Sequence, residues 1–85
     1  MTVLYVVAVR DSAVRAFNRP VFVPTIGVAV RSFADEVNRK SEDNQMFRHP
    51  DDFELWSLAL FDDETGEFQA AEQRCVARAK DVVQQ

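Results

Sequence analysis

Three short stretches decide the reading of the fold: Ser32-Phe33-Ala34-Asp35-Glu36-Val37-Asn38, His49-Pro50-Asp51-Asp52-Phe53 and Phe61-Asp62-Asp63-Glu64-Thr65-Gly66. In order they read as the end of a helix, a tight corner into a strand, and a hairpin. The helix signal is a periodic one. Ile26, Val30, Phe33, Ala34 and Val37 recur at the spacing of one helical face, and Thr25 stands where an N-cap hydroxyl belongs. Glu54 to Phe61 alternates as a strand, with Trp56, Leu58 and Leu60 on one face and Leu55, Ser57, Ala59 and Phe61 on the other. Asp62 to Gly66 is rich in turn formers and ends on a glycine suited to a left-handed position. Residues 67–70 return as the partner strand with Phe68 inward.

Working outward, residues 2–9 form a strand that is apolar on both faces: Val3, Tyr5, Val7 and Val9 against Leu4, Val6 and Ala8. Such a strand is expected to be covered on both sides. Asp11-Ser12 breaks it, and Ala13 to Phe17 has room for a short helical turn. Val21-Phe22-Val23 lies between Pro20 and Pro24, which lack N–H donors, so it is an edge strand or a connector. Lys40 to Asn44 is a polar loop, and Met46-Phe47 re-enters the core. In the tail, Cys75, Val76, Ala79, Val82 and Val83 share one helical face, which predicts a C-terminal helix over residues 71–83. The fold class is therefore α+β. Residues 2–9, 54–61 and 67–70 build a small antiparallel sheet, with 21–23 as a fourth strand at an edge. One main helix, residues 26–38, packs it, and a C-terminal helix sits at an edge or reaches a partner.

The 85 residues hold one domain, 1–85, because no second core fits in the remainder. Hydrophobic residues make up 47% and include seven Phe, so the body of the chain has the means to bury a core. One main helix cannot cover both apolar faces of the first strand, which predicts a homodimer or higher homo-oligomer. The single cysteine, Cys75, cannot form an internal disulfide, which favours a reducing compartment. The first apolar run has no basic residues ahead of it and is too short to span a bilayer, so it reads as a strand, with no membrane partner expected.

The net charge of −4 is unevenly laid out. Residues 1–50 carry seven Lys/Arg against five Asp/Glu, and residues 51–85 carry three against nine. A nucleic-acid binder needs clustered cations, so any such contact must come from the first half. Arg10, Arg15, Arg19, Arg31 and Arg48 are the candidate nucleic-acid-binding residues there; the plain alternative is that they are scattered solvating charges. Tyr5 and Trp56 on pairing strands are compatible with a base-stacking platform, although aromatics at strand positions of a small domain more often form its core or a dimer interface.

Catalysis has little to work with. His49 is the only histidine, beside Asp51 and Asp52, and such a residue usually closes a turn through its ring. A metal site would crowd all its ligands into that one corner. Asp62-Asp63-Glu64 lacks the spacing of a calcium loop. Cys75 lies on the apolar stripe as an inert thiol. With only Gly27 and Gly66, there is no glycine-rich phosphate loop. The sequence points away from an enzyme and calls for no cofactor and no metal.

The order Asp11…Phe17-x-x-Pro20-x-Phe22, Ala29-x-Arg31-x-Phe33-x-Asp35-x-Val37-Asn38, Phe47-x-His49-Pro50-x-Asp52-Phe53-x-Leu55 and Phe61-Asp62-Asp63-x-Thr65-Gly66 resembles the small nonstructural protein of gokushoviruses and related Microviridae, the single-stranded DNA phages of bacteria. The match spans roughly residues 3–70. Arg19 and Val21 flank Pro20 where that family often has a Pro-Phe pair. The resemblance implies a non-enzymatic protein of the host bacterial cytoplasm, often called DNA-binding and compared with the isometric coliphages' protein C, which acts in the switch from double-stranded replication to single-stranded genome synthesis and packaging. It implies single-stranded DNA, or the phage replication-initiation or capsid proteins, as partners. The alternative is a protein-interaction or assembly factor with no nucleic-acid contact.

Overall fold

The computed structural model describes residues 2–84. Five strands, β1 (Val3–Asp11), β2 (Ala16–Phe17), β3 (Val21–Val23), β4 (Phe53–Asp62) and β5 (Phe68–Arg78), make one antiparallel sheet in the order β2-β1-β4-β5, with β3 also on β1. Two helices accompany it, α1 (Ile26–Val37) and the one-turn α2 (Gln45–Arg48). The class is α+β, as the sequence implies.

β1 lies in the centre because it is apolar on both faces. β2 and β3 are successive pieces along its outer edge. Phe17 pairs with Arg10 and Val23 with Tyr5, and the break falls at Asn18-Arg19-Pro20, where the proline has no N–H to give. Asn18 keeps contact across the break by donating its backbone N–H to Val9 O at 2.7 Å. Residues 13–15 are a turn of the β1–β2 hairpin and not a turn of helix; Arg15 takes φ 58° there.

α1 starts as expected: the Thr25 hydroxyl accepts from the Val28 N–H at 3.1 Å. It lays Ala29, Phe33 and Val37 on one face of the sheet against Val7, Phe53 and Leu55, with Ala79 completing the buried cluster. Asn38 ends the helix, its Nδ2 donating to Ala34 O at 2.8 Å and to Val82 O at 2.9 Å. Buried Asn44 does similar work one loop later, donating to Glu36 O and Arg39 O while its Oδ1 accepts from Met46 N. The β4–β5 hairpin closes on Asp62, whose carboxylate accepts from Glu64 N, and on Gly66 at φ 77°. The corner at residue 49 is closed by backbone: His49 N–H donates to Gln45 O and its carbonyl accepts from Asp52 N, with no cap bond from the ring.

The tail corrects the sequence reading. The expected partner strand at 67–70 is there, but it runs on as β5 through Arg78, so residues 71–78 are strand, not helix, and a single 3₁₀ turn, Ala79–Asp81, follows. Alanine, Glu, Gln, Arg and Lys dominate this segment and all favour helix locally. A helix of that length gains little without a face to dock on, whereas the tight Asp62–Gly66 hairpin delivers the chain straight onto the unpaired edge of β4. The apolar tail residues still reach the core, since Ala79 is fully buried and Val82 packs beside it.

Candidate functional site

Residues paired across an antiparallel ladder share a face. On the face of β1 turned away from α1 stand Leu4, Val6, Ala8 and Arg10. Their β4 partners are Phe61, Ala59, Trp56 and Glu54. Phe22 comes in opposite Val6 and Phe17 opposite Arg10. From the far side, Phe68 stands opposite Phe61 and Cys75 opposite Trp56. Five aromatic rings therefore gather on a sheet face that no helix covers among the described residues.

They form two groups. Toward the β4–β5 hairpin, Phe22, Phe61 and Phe68 pack mutually, with centroids 4.9 to 6.0 Å apart. Toward the other end, Phe17 meets Trp56 edge-on at 6.0 Å, and the Arg10 guanidinium lies 5.9 Å from the Phe17 ring. Between them Val6 and Ala8 make a floor, and both are buried. Phe17, Phe22 and Phe68 remain 41%, 48% and 62% exposed. Glu54 ties the far corner: its Oε1 accepts from Trp56 Nε1 at 3.2 Å and its Oε2 lies 3.5 Å from Arg78 Nε. A surface of this make-up can hold flat or apolar groups by contact, with cations at one end only.

Strict alternation misplaces this face. The β1–β4 register shifts between Val6 and Val7, so that Val6 pairs with Ala59 and Val7 with Ser57, and Leu58 is passed over. The bulge puts Trp56, Ala59 and Phe61 together and sends Leu60 to the helix side, where Tyr5 also packs against the core. Phe68, expected inward, is the most exposed ring of the group. The signal that was available is the aromatic spacing itself: Phe17, Phe22, Trp56, Phe61 and Phe68 are more rings than the helix-side core takes in.

The five candidate arginines divide. Arg10 is on the open face, Arg15 in the β1–β2 turn and Arg19 at the break before β3, so these three occupy one corner of the sheet. Arg31 is exposed on α1, and Arg48 ends α2, where it donates to Glu42 O at 3.3 Å. Both belong to the helical layer on the opposite side. Among the described residues no three His, Cys, Asp or Glu side chains converge to hold a metal ion. The Cys75 thiol is half-buried and donates to Ala77 O at 3.5 Å. No helix among the described residues is long and apolar enough to cross a membrane.

The model of the Phage ORF5 protein family matches residues 4–82, nearly the whole chain. The chain belongs to that phage family. The match runs through β5 and its following turn, so the family's pattern includes the strand that carries Phe68 and Cys75 and the buried Ala79. No curated protein and no solved structure matches this ORF5-family chain.

Proposed function

We propose that this ORF5-family protein is the small nonstructural protein of a gokushovirus-like member of the Microviridae, a non-enzymatic regulator working in the host bacterial cytoplasm. Its role is in the switch from double-stranded replication to single-stranded DNA synthesis and packaging, through contact with single-stranded DNA. The observation that carries the contact is the open aromatic face, bordered at one corner by Arg10, Arg15 and Arg19. Exposed rings give sequence-tolerant stacking for bases, and adjoining guanidiniums neutralise phosphates. Arg31 and Arg48, on the other side of the sheet, stand outside this surface.

A second reading is favoured by one feature. Asp63, Glu64 and Glu67 lie beside the Phe22–Phe61–Phe68 group, and the whole chain is acidic. That end fits a protein, for example the phage replication-initiation or capsid protein, better than a polyanion. Anisotropy of a labelled single-stranded oligonucleotide over a salt series separates the two. Three phosphate contacts give a log–log slope of about −2. Absence of binding at low salt by folded protein would overturn the DNA reading and leave the protein partner.

A further inference from the structure

We propose that a second copy of this chain covers the open sheet face, stacked face to face with its strands running opposite to those of the first. The amount of surface argues for a macromolecular cover. Taking about 200 Å² for a whole Phe side chain, Phe17, Phe22 and Phe68 alone leave about 300 Å² of ring open. Four strands about 4.8 Å apart and some 30 Å long give the face a projected area of about 600 Å², and its corrugated accessible area approaches the roughly 800 Å² per partner of a stable interface. Small monomers rarely leave so continuous an apolar surface wet.

The two ring groups, one at each end of the face, favour a second copy laid antiparallel on the first. One end of the face carries Arg10 beside Glu54, with Arg15 and Arg19 at its rim; the other end adjoins the hairpin with Asp63 and Glu67. A two-fold axis across the strands sets Phe22 and Phe61 over the second copy's Phe17 and Trp56, and each β4–β5 hairpin over the second copy's Glu54–Arg78 end. An axis along the strands would bring the two acidic hairpins together. The antiparallel orientation is the one that keeps the two acidic hairpins apart. The β5 edge is the competing route to self-association, but its register slips twice, between Leu55 and Trp56 and between Ser57 and Ala59, and a bulged edge pairs poorly.

If the DNA reading also holds, self-association and DNA compete for the same rings. Only that last step rests on the DNA reading. The mass of the protein without DNA tests the dimer by itself. Light scattering over a wide concentration range should give twice the 9.7 kDa of one chain. Phe22→Asp or Phe68→Asp, both at exposed positions, should weaken self-association by at least about tenfold while leaving the circular dichroism unchanged. A monomer at every concentration overturns the proposal. So does a dimer indifferent to Phe22→Asp and Phe68→Asp.

Discussion

Asn38 donates its side-chain Nδ2–H to the carbonyl of Val82, 44 residues further along, at 2.9 Å, and its Oδ1 accepts from Gln84 N at 2.8 Å. One amide thus caps α1 and fastens the end of the chain to it. The tail has no helix of its own to hold it, so these bonds, with Ala79 and Val82 in the core, are what fix it there.

Replacing Asn38 by alanine removes the cap and strips partners from Val82 O and Gln84 N together. The cost should be about 1–3 kcal/mol, since partly buried groups lose their partners without gaining water in full. In a domain of this size that lowers the melting temperature by roughly 4–8 °C per kcal/mol. Hydrogen exchange should show the amide of Gln84 losing its protection before the sheet does. Unchanged exchange at Gln84 would mean that the tail is held by its apolar residues alone.

Gly66 sets the β4–β5 hairpin at φ 77°, and a Cβ built there meets nothing within 4 Å. Space is therefore no obstacle to a side chain, and the whole penalty is conformational. Gly66→Ala should cost about 1–2 kcal/mol, and Gly66→Asn less, because asparagine tolerates the left-handed region. Urea titration of the two variants ranks them. A larger loss from asparagine than from alanine would place the cause outside the backbone.

The two layers of aromatics should answer differently to truncation. Phe33 is buried between α1 and the sheet, and Phe33→Ala should cost about 3–5 kcal/mol, enough to unfold much of so small a domain. Phe68→Ala removes a ring that is 62% exposed in the single chain, so its effect on monomer stability should stay below about 1 kcal/mol. Denaturation at low protein concentration checks the contrast. A large loss at Phe68 would make the open face a second core.

These contrasts also mark what was legible in the sequence. The α1 stripe, the Thr25 cap and the Asp62–Gly66 hairpin are local, and each is written in a run of a dozen residues or fewer. The start of β5 was legible in the hairpin, but its continuation past Ala70 was not, because Ala71-Glu72-Gln73-Arg74 favours helix in isolation and becomes strand only through its pairing with β4. The open face was hidden for another reason. Its membership depends on the bulge that passes over Leu58, and nothing in the alternation of β4 announces a bulge. Of the five candidate arginines, the sequence could not separate Arg10, Arg15 and Arg19, at the corner of the open face, from Arg31 and Arg48 in the helical layer, since the side of the sheet on which a loop or helix lies is a matter of topology.

That division gives the sharpest test of the DNA reading. If single-stranded DNA lies across the open face, Arg10→Ala, Arg15→Ala and Arg19→Ala should each weaken binding and flatten the salt slope by about 0.7, the share of one phosphate contact. Arg10→Ala should weaken binding further, because it also removes the cation resting 5.9 Å from the Phe17 ring. Arg31→Ala and Arg48→Ala, in the helical layer, should leave both affinity and slope as they are. Oligonucleotide anisotropy at several salt concentrations reads all five variants on one scale. Equal losses at all five would mean that the chain attracts DNA by diffuse charge. Losses confined to Arg31 and Arg48 would move the contact to the face of α1.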